Sequence, residues 1–233
     1  MIFDLDGVLI DSKLIHFNAL NNALSRIDEK FVISPADHAT HYDGLSTQKK
    51  LERITLEKDL DPKFYEDVIN QKQLETVKMY QEITEDKELV KLFKKLIDNN
   101  VIIGVASNSI RKTLRLALIK LGIIEYIEIY LSNQDVKFPK PNPEIYWECM
   151  KRLGVHPKNT VIFEDSHIGR EAASASGAKL IGIESRIDLT DQKINECLSY
   201  FNISESEKST WVNKQMNIPV AYTHLTLPTN REV

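Results

Sequence analysis

From Leu89 onward the chain alternates segments of helical period with short apolar runs, and this alternation limits the fold more than any other feature of its 233 residues. The run Val101-Ile102-Ile103-Gly104-Val105-Ala106 is apolar throughout, as expected of a strand buried on both faces. A helical pattern over 86–99 precedes it, with Leu89, Val90, Leu92, Phe93, Leu96 and Ile97 at three- and four-residue steps. Downstream the spacing predicts helix 109–121, a strand near 127–131, helix 142–153, strand 160–163, helix 167–176, strand 179–183 and a helix over 190–201. Strands separated by helices call for parallel neighbours joined by right-handed crossovers, so the class is α/β.

The first 85 residues read differently. Ile2 to Asp6 alternates apolar and acidic residues and Gly7 follows as a turn residue, which predicts a short strand running into a loop. That strand is short at its start, and a trimmed N-terminus is the expectation. Asp11 or Ser12 can cap a helix carrying Leu14, Phe17, Leu20, Ala23, Leu24 and Ile27. Leu45, Leu51, Ile54, Leu56, Phe64, Val68, Leu74, Val77 and Met79 keep a helical rhythm to about residue 80, with no strand pattern. The expected organisation is a sheet domain over 1–12 and 81–203 with a helical insert over 13–80. Ser204 to Ser209 reads as a linker, and residues 222–233 resemble translated adapter sequence, so 204–233 is expected to be a linker with a non-native or disordered tail.

A net charge of -4 gives no electrostatic reason to bind nucleic acid. No apolar run approaches the roughly 18 residues of a membrane span, and no basic-then-apolar leader opens the chain. Cys149 and Cys197 are too few for a disulfide framework and sit in no metal-ligand spacing. A cytoplasmic protein without membrane or nucleic-acid partners is expected.

Four places bring chemistry-bearing residues to predicted strand ends, where open parallel sheets bind ligands. Asp4-Leu5-Asp6 could be a cap and a turn, or two carboxylates sharing one mouth. Ser107-Asn108 follows the run 101–106 and either caps the next helix or donates to an anion. Lys140 lies among Pro139, Pro141 and Pro143, either as a solvated loop cation or as a fixed charge for phosphate. Glu164-Asp165 ends the run Val161-Ile162-Phe163, as a helix cap or as hard oxygen ligands for a divalent cation.

Taken together and in order, these pieces resemble the haloacid dehalogenase-like superfamily, in the branch whose helical cap follows the first motif. The resemblance covers about residues 1–185 and rests on Asp4-Leu5-Asp6-Gly7-Val8-Leu9, Val105-Ala106-Ser107-Asn108, Lys140-Pro141-Asn142-Pro143-Glu144-Ile145-Tyr146 and Phe163-Glu164-Asp165-Ser166 with Gly169. It implies a Rossmann-like parallel sheet core with an inserted all-helical cap domain. It further implies a magnesium-dependent phosphatase acting on a small-molecule phosphate ester, such as a sugar phosphate or a phosphoglycolate-like compound, with Asp4 as nucleophile and Asp6 as acid and base. Ser107, Asn108 and Lys140 would hold phosphate, and Asp4, the Asp6 carbonyl, Glu164 and Asp165 would hold the magnesium ion. Dehalogenases of the superfamily lack the second acid, so Asp6 argues for phosphoryl transfer.

Substrate contacts from the cap are expected at His16, Gly44 and Lys72. A sugar-phosphate mutase of the β-phosphoglucomutase kind is the alternative, although those mutases carry an Arg shortly after the cap-loop glycine where this chain has Leu45-Ser46-Thr47-Gln48-Lys49-Lys50. A catalytically silent binding module is the third reading, and the complete acid set speaks against it. A monomer is favoured.

Overall fold

The computed structural model describes residues 1–42 and 45–200. Its centre is a five-stranded sheet of β1 (Ile2–Phe3), β2 (Gly104–Ala106), β3 (Ile129–Leu131), β4 (Val161–Glu164) and β5 (Lys179–Gly182). The strands are all parallel, in the order β3-β2-β1-β4-β5. The α/β reading therefore holds, and each predicted strand is present, four of them in a shorter form and the one expected at 160–163 shifted by one residue to Val161–Glu164. Helices α1 (Lys13–Ser25), α2 (Pro35–Asp37), α3 (Thr47–Lys58) and α4 (Tyr65–Gln81) come before β2, as does α5 (Lys87–Asp98). After β2 come α6 (Arg111–Lys120), α7 (Glu144–Leu153), α8 (His167–Ala175) and α9 (Asp191–Tyr200).

Side chains alternate across a strand, and the two faces bury different partners. Phe3, Val105 and Phe163 pack with Leu89, Phe93, Leu96 and Leu114 of α5 and α6, and with Ile194 of α9. Ile2, Ala106 and Ile162 pack with Ile145, Tyr146 and Met150 of α7 and Ala172 and Ala173 of α8. The two-sided cover explains why the strands read as unbroken apolar runs. Phe3 stacks on Phe163 with ring centroids 4.7 Å apart and meets Phe93 at 5.2 Å.

Between Ser12 and Glu82 the described residues form helices and turns without a strand. They bury a separate cluster of Leu20, Leu24, Phe31, Ile33, Tyr42, Leu51, Ile54, Leu60 and Val68. Leu14, at a position the helical period assigned to the apolar stripe, is 65% exposed. Ser12 occupies the N-cap position of α1 without making a side-chain cap, because its hydroxyl donates to Asp6. The expected strand 2–6 stops at Phe3. Beyond Asp4 the chain coils into a loop in which Leu9 and Ile10 donate to the Leu5 carbonyl and Gly7 adopts φ +85°. Residues 204–233 lie outside the described residues.

Register places the strand ends side by side. Phe3 pairs with both Val105 and Phe163, so Asp4 comes level with Ala106 and Glu164, one residue before Ser107 and Asp165. The chain moves outward from β1 to β2 and β3, then returns to β4 on the other side of β1. This reversal of direction creates the crevice at which such sheets bind ligands.

Phe3→Ala should cost about 3–5 kcal/mol, the usual range for deleting a buried aromatic ring. Urea unfolding followed by far-ultraviolet circular dichroism measures it, and a loss below about 1 kcal/mol would mean that the stacked rings do not hold the sheet.

Candidate active site

Lys140 is the centre of the site. Its loop is braced by the Glu144 carboxylate, which accepts from the backbone N–H groups of Lys137 and Phe138 at 2.9 Å each. Asn108 holds the Lys140 main chain at both ends, accepting from Lys140 N at 3.1 Å and donating to Lys140 O at 3.2 Å. The buried ammonium donates to Asp4 Oδ1 at 2.7 Å, the Ala106 carbonyl at 2.8 Å and Glu164 Oε1 at 2.5 Å. Its Nζ also lies 4.9 Å from the centroid of the Tyr146 ring. Burial disfavours this charge, but Asp4 and Glu164 outweigh burial and hold its pKa above the usual value.

Burial raises the Asp4 carboxyl well above the usual range, with Lys140 opposing and Glu164 and Asp6 adding to the rise. Asp6 is held in the opposite state. Burial works to raise it, but His16, through its charge and a 3.0 Å hydrogen bond, outweighs this together with the hydroxyls of Ser12 and Ser109. Asp6 Oδ1 accepts from Ser12 at 2.5 Å and Tyr80 at 2.9 Å, and Oδ2 accepts from Ser109 at 2.8 Å. Asp6 is therefore kept ionised well below the ordinary carboxylate range.

The ligand atoms of Asp4, Glu164 and Asp165 lie within 4.8 Å of one another, an arrangement able to hold a metal ion. Two glycines make room for these acids. A Cβ on Gly7 would fall inside the Asp165 carboxylate, and one on Gly169 inside the Glu164 carboxylate. Asp165 Oδ1 is buried without a hydrogen-bond partner among the described residues, which suits a cation ligand. Lys13 approaches the other oxygen only to 3.9 Å. Glu164 is differently employed, for Oε1 accepts from Lys140 and from Tyr146 at 2.5 Å, while Oε2 has Ser166 at 3.4 Å.

A cavity of about 330 Å³ opens over these groups. Of the residues singled out from the sequence, Asp4, Asp6, His16, Ser107, Asn108, Lys140 and Asp165 line it. Glu164 sits beneath it, fully buried, and Gly44 lies outside the described residues. Lys72 reaches His16 Nδ1 at 3.5 Å, and burial holds its ammonium below the usual value while Asp6 works against this. Ser107 does not cap α6, since Ile110 takes the N-cap position and Ser107 Oγ accepts from Ser109 N at 3.0 Å. Ser166 does cap α8, accepting from Gly169 N at 3.1 Å.

A family model described as haloacid dehalogenase-like hydrolase matches residues 1–183. The chain belongs to this family. A phosphorylated carbohydrates phosphatase of Thermotoga maritima is 26% identical over 185 residues, spanning 78% of this chain and 82% of that protein. A β-phosphoglucomutase of Bacillus subtilis is 26% identical over 190 residues, 78% of this chain and 82% of that protein. The crystal structure of a β-phosphoglucomutase from Clostridium difficile superposes with a TM-score of 0.70 at 23% identity, over 87% of this chain and 98% of that one. At that identity the likeness speaks for the fold alone. Among the described residues no helix is long and apolar enough to cross a membrane.

The sequence reading offered Ser12 only as a helix cap and did not single out Tyr80 and Ser109 around Asp6, Tyr146 beneath Glu164, or His38, Lys50 and His167 at the cavity wall. Tyr146 stood inside a quoted motif and Lys50 inside the cap-loop stretch, so position was legible where role was not. Tyr80 carried no signal beyond its place at the end of the helical rhythm.

Burial, then the charge of Glu164, push Asp165 up to about 6, with Lys13 opposing. The folded chain thus holds this proton more tightly than the unfolded one. The contribution of Asp165 to stability is full below about 4 and is lost as pH rises through about 6. In metal-free buffer, Asp165→Asn should therefore gain stability relative to the parent between pH 4 and pH 7. Urea titrations across that range test it, and a difference that does not change with pH would refute the assignment.

Proposed function

We propose that this chain is a magnesium-dependent phosphatase that hydrolyses a small phosphate monoester through a phosphorylated Asp4. The observation that carries the reading is the buried Lys140 ammonium held against Asp4 and Glu164 at the floor of a cavity that Ser107 also lines. The Lys140 charge beside Asp4 offsets the negative charge that a phosphoryl group brings to this carboxylate, so a nucleophile and a neutralising cation share one position.

In the first step an oxygen of Asp4 attacks phosphorus and the ester P–O bond breaks, while the carboxylic acid of Asp6 gives its proton to the leaving oxygen. In the second, the Asp6 carboxylate takes a proton from water, the water oxygen bonds to phosphorus, and the Asp4 O–P bond breaks to restore the carboxylate. His16, Ser12 and Ser109 favour the ionised Asp6 that the second step uses. The first step requires Asp6 to be protonated, and the negative charge of a bound phosphate raises its carboxyl toward that state. Ser107 would hold a phosphoryl oxygen, and Lys140, whose three donors are engaged with Asp4, Ala106 and Glu164, would act on the phosphoryl group through its charge. Since the Asn108 side chain is engaged with the Lys140 main chain, phosphate would meet Asn108 through its backbone.

Asp4, Asp165 and the Asp6 carbonyl would hold the magnesium ion, with Glu164 contributing through its Oε2 side. The unpartnered Asp165 oxygen and the room left by Gly7 support this donor set. Such an ion supplies positive charge to the phosphoryl group. Residues 13–80 would act as the cap over a sheet domain of 1–12 and 81–203. His16 and Lys72 would face the substrate from this cap, and the two free cysteines suit a cytoplasmic setting. The matched carbohydrate phosphatase points to a sugar phosphate or a compound of similar size.

A sugar-phosphate mutase is the second reading. One observation favours it: Lys50 and His38 of the helical segment line the same cavity as Asp4.

Wild-type protein is expected to release phosphate from p-nitrophenyl phosphate and from sugar phosphates only when magnesium is present. Asp4→Asn should lower kcat at least about a thousandfold, in line with loss of a covalent nucleophile. A variant that keeps its magnesium-dependent turnover would remove the covalent route. Interconversion of glucose phosphates without phosphate release, followed by phosphorus NMR, would replace hydrolase by mutase.

A further inference from the structure

Tyr80 lies in the last turn of α4, where the helical segment rejoins the sheet domain. The residue is fully buried, and its ring belongs to the apolar cluster that includes Leu5, Leu9, Ile10 and Leu89. Phenylalanine would serve that packing equally well. A phenol hydroxyl buried there costs about 1–3 kcal/mol unless it finds a partner, and its partner is the carboxylate of Asp6, 2.9 Å away.

The geometry around that carboxylate is unequal. Ser12, at the outgoing crossing between sheet and helices, and Tyr80, at the return crossing, both donate to Asp6 Oδ1, and His16 Nε2 lies 3.0 Å from the same oxygen. Among the described residues Ser109 alone donates to Oδ2. Three groups on one oxygen fix the torsion of the carboxylate as well as its place. Tyr80 differs from the other donors in being rigid, with its ring packed on all sides, whereas a serine hydroxyl can rotate away. The His16 ring stands 6.2 Å from the Tyr80 ring and tilted by 45°, so the phenol also walls the side chain that shares its acceptor.

We propose that Tyr80 is a positioning residue for Asp6, fixing the orientation in which this carboxyl delivers its proton to the leaving oxygen of the phosphate ester. The proposal rests on the phosphatase reading above. It assigns a task to a side chain outside the motifs by which the family is recognised.

The test uses leaving groups of graded quality. A p-nitrophenolate departs without help, whereas an unsubstituted phenolate gains from protonation as its bond to phosphorus breaks. Tyr80→Phe retains the ring and removes only the hydroxyl. With the full chain and magnesium, kcat/KM is measured for p-nitrophenyl phosphate and for phenyl phosphate, wild type and variant side by side. The ratio of the two values should rise about tenfold in the variant, a fraction of the about 10²–10⁴ that a well-placed general acid supplies. Because both substrates are read on one preparation, the ratio does not depend on how much of the variant is folded.

An unchanged ratio in an active variant would overturn the proposal and reduce Tyr80 to packing, whatever happens to the absolute rates. A wild-type protein that releases no phosphate from either ester would remove the phosphatase reading, and the role of Tyr80 with it. The two failures are distinguished by the wild-type rate alone.

Discussion

An ammonium group removed from water governs the arrangement of this molecule. Burying Lys140 is unfavourable unless every one of its donors is met, and a carboxylate, a carbonyl and a second carboxylate meet them. These partners lie just beyond β1 and at the last residues of β2 and β4, so one cation ties together the ends of three neighbouring strands. The charge also explains two features of its surroundings. Glu164 tolerates complete burial because Lys140 and Tyr146 both donate to it, and the 137–144 loop is braced by Glu144 and Asn108 because a wandering cation would leave two acids unpaired.

Around this fixed point the acids divide by environment. Asp4 is pushed up by burial, Asp165 follows it less far, and Asp6 is drawn down by the donors that surround it. The separation arises from where the chain crosses between sheet and helices. Asp4 and Asp165 sit just past the ends of β1 and β4, while Asp6 lies where Ser12, His16 and Tyr80 converge.

The strand–helix alternation from residue 86 was plain in the sequence because both faces of the sheet are covered, which leaves apolar runs that no surface strand would show. Asp4, Ser107, Lys140 and Asp165 were legible for a related reason. Each follows an apolar run within one or two residues or stands in a proline-stiffened loop, so its place could be inferred from the strand it ends. What could not be read was which group each side chain would face. Ser12 has the composition of a cap and gives its hydroxyl to Asp6 instead, because the competing acceptor lies 6 residues back in a loop whose course depends on Gly7. Leu14 fits the helical period and is exposed, since periodicity gives a face but not what covers it. Glu164 looked like an equal neighbour of Asp165, and only register and the Lys140 contact separate the buried anchor from the open ligand.

The hydrogen-for-side-chain economy at positions 7 and 169 bears on how the sequences of relatives should be compared. Each glycine occupies space that an acid needs, so the acid and the missing side chain form one unit, Gly7 with Asp165 across most of the chain and Gly169 with Glu164 within a single strand-to-helix turn. A descendant could keep Glu164 and Asp165 in its alignment and still lose their placement through a single methyl group at either position. The acids of such a chain would survive as letters after the geometry that gave them meaning had gone.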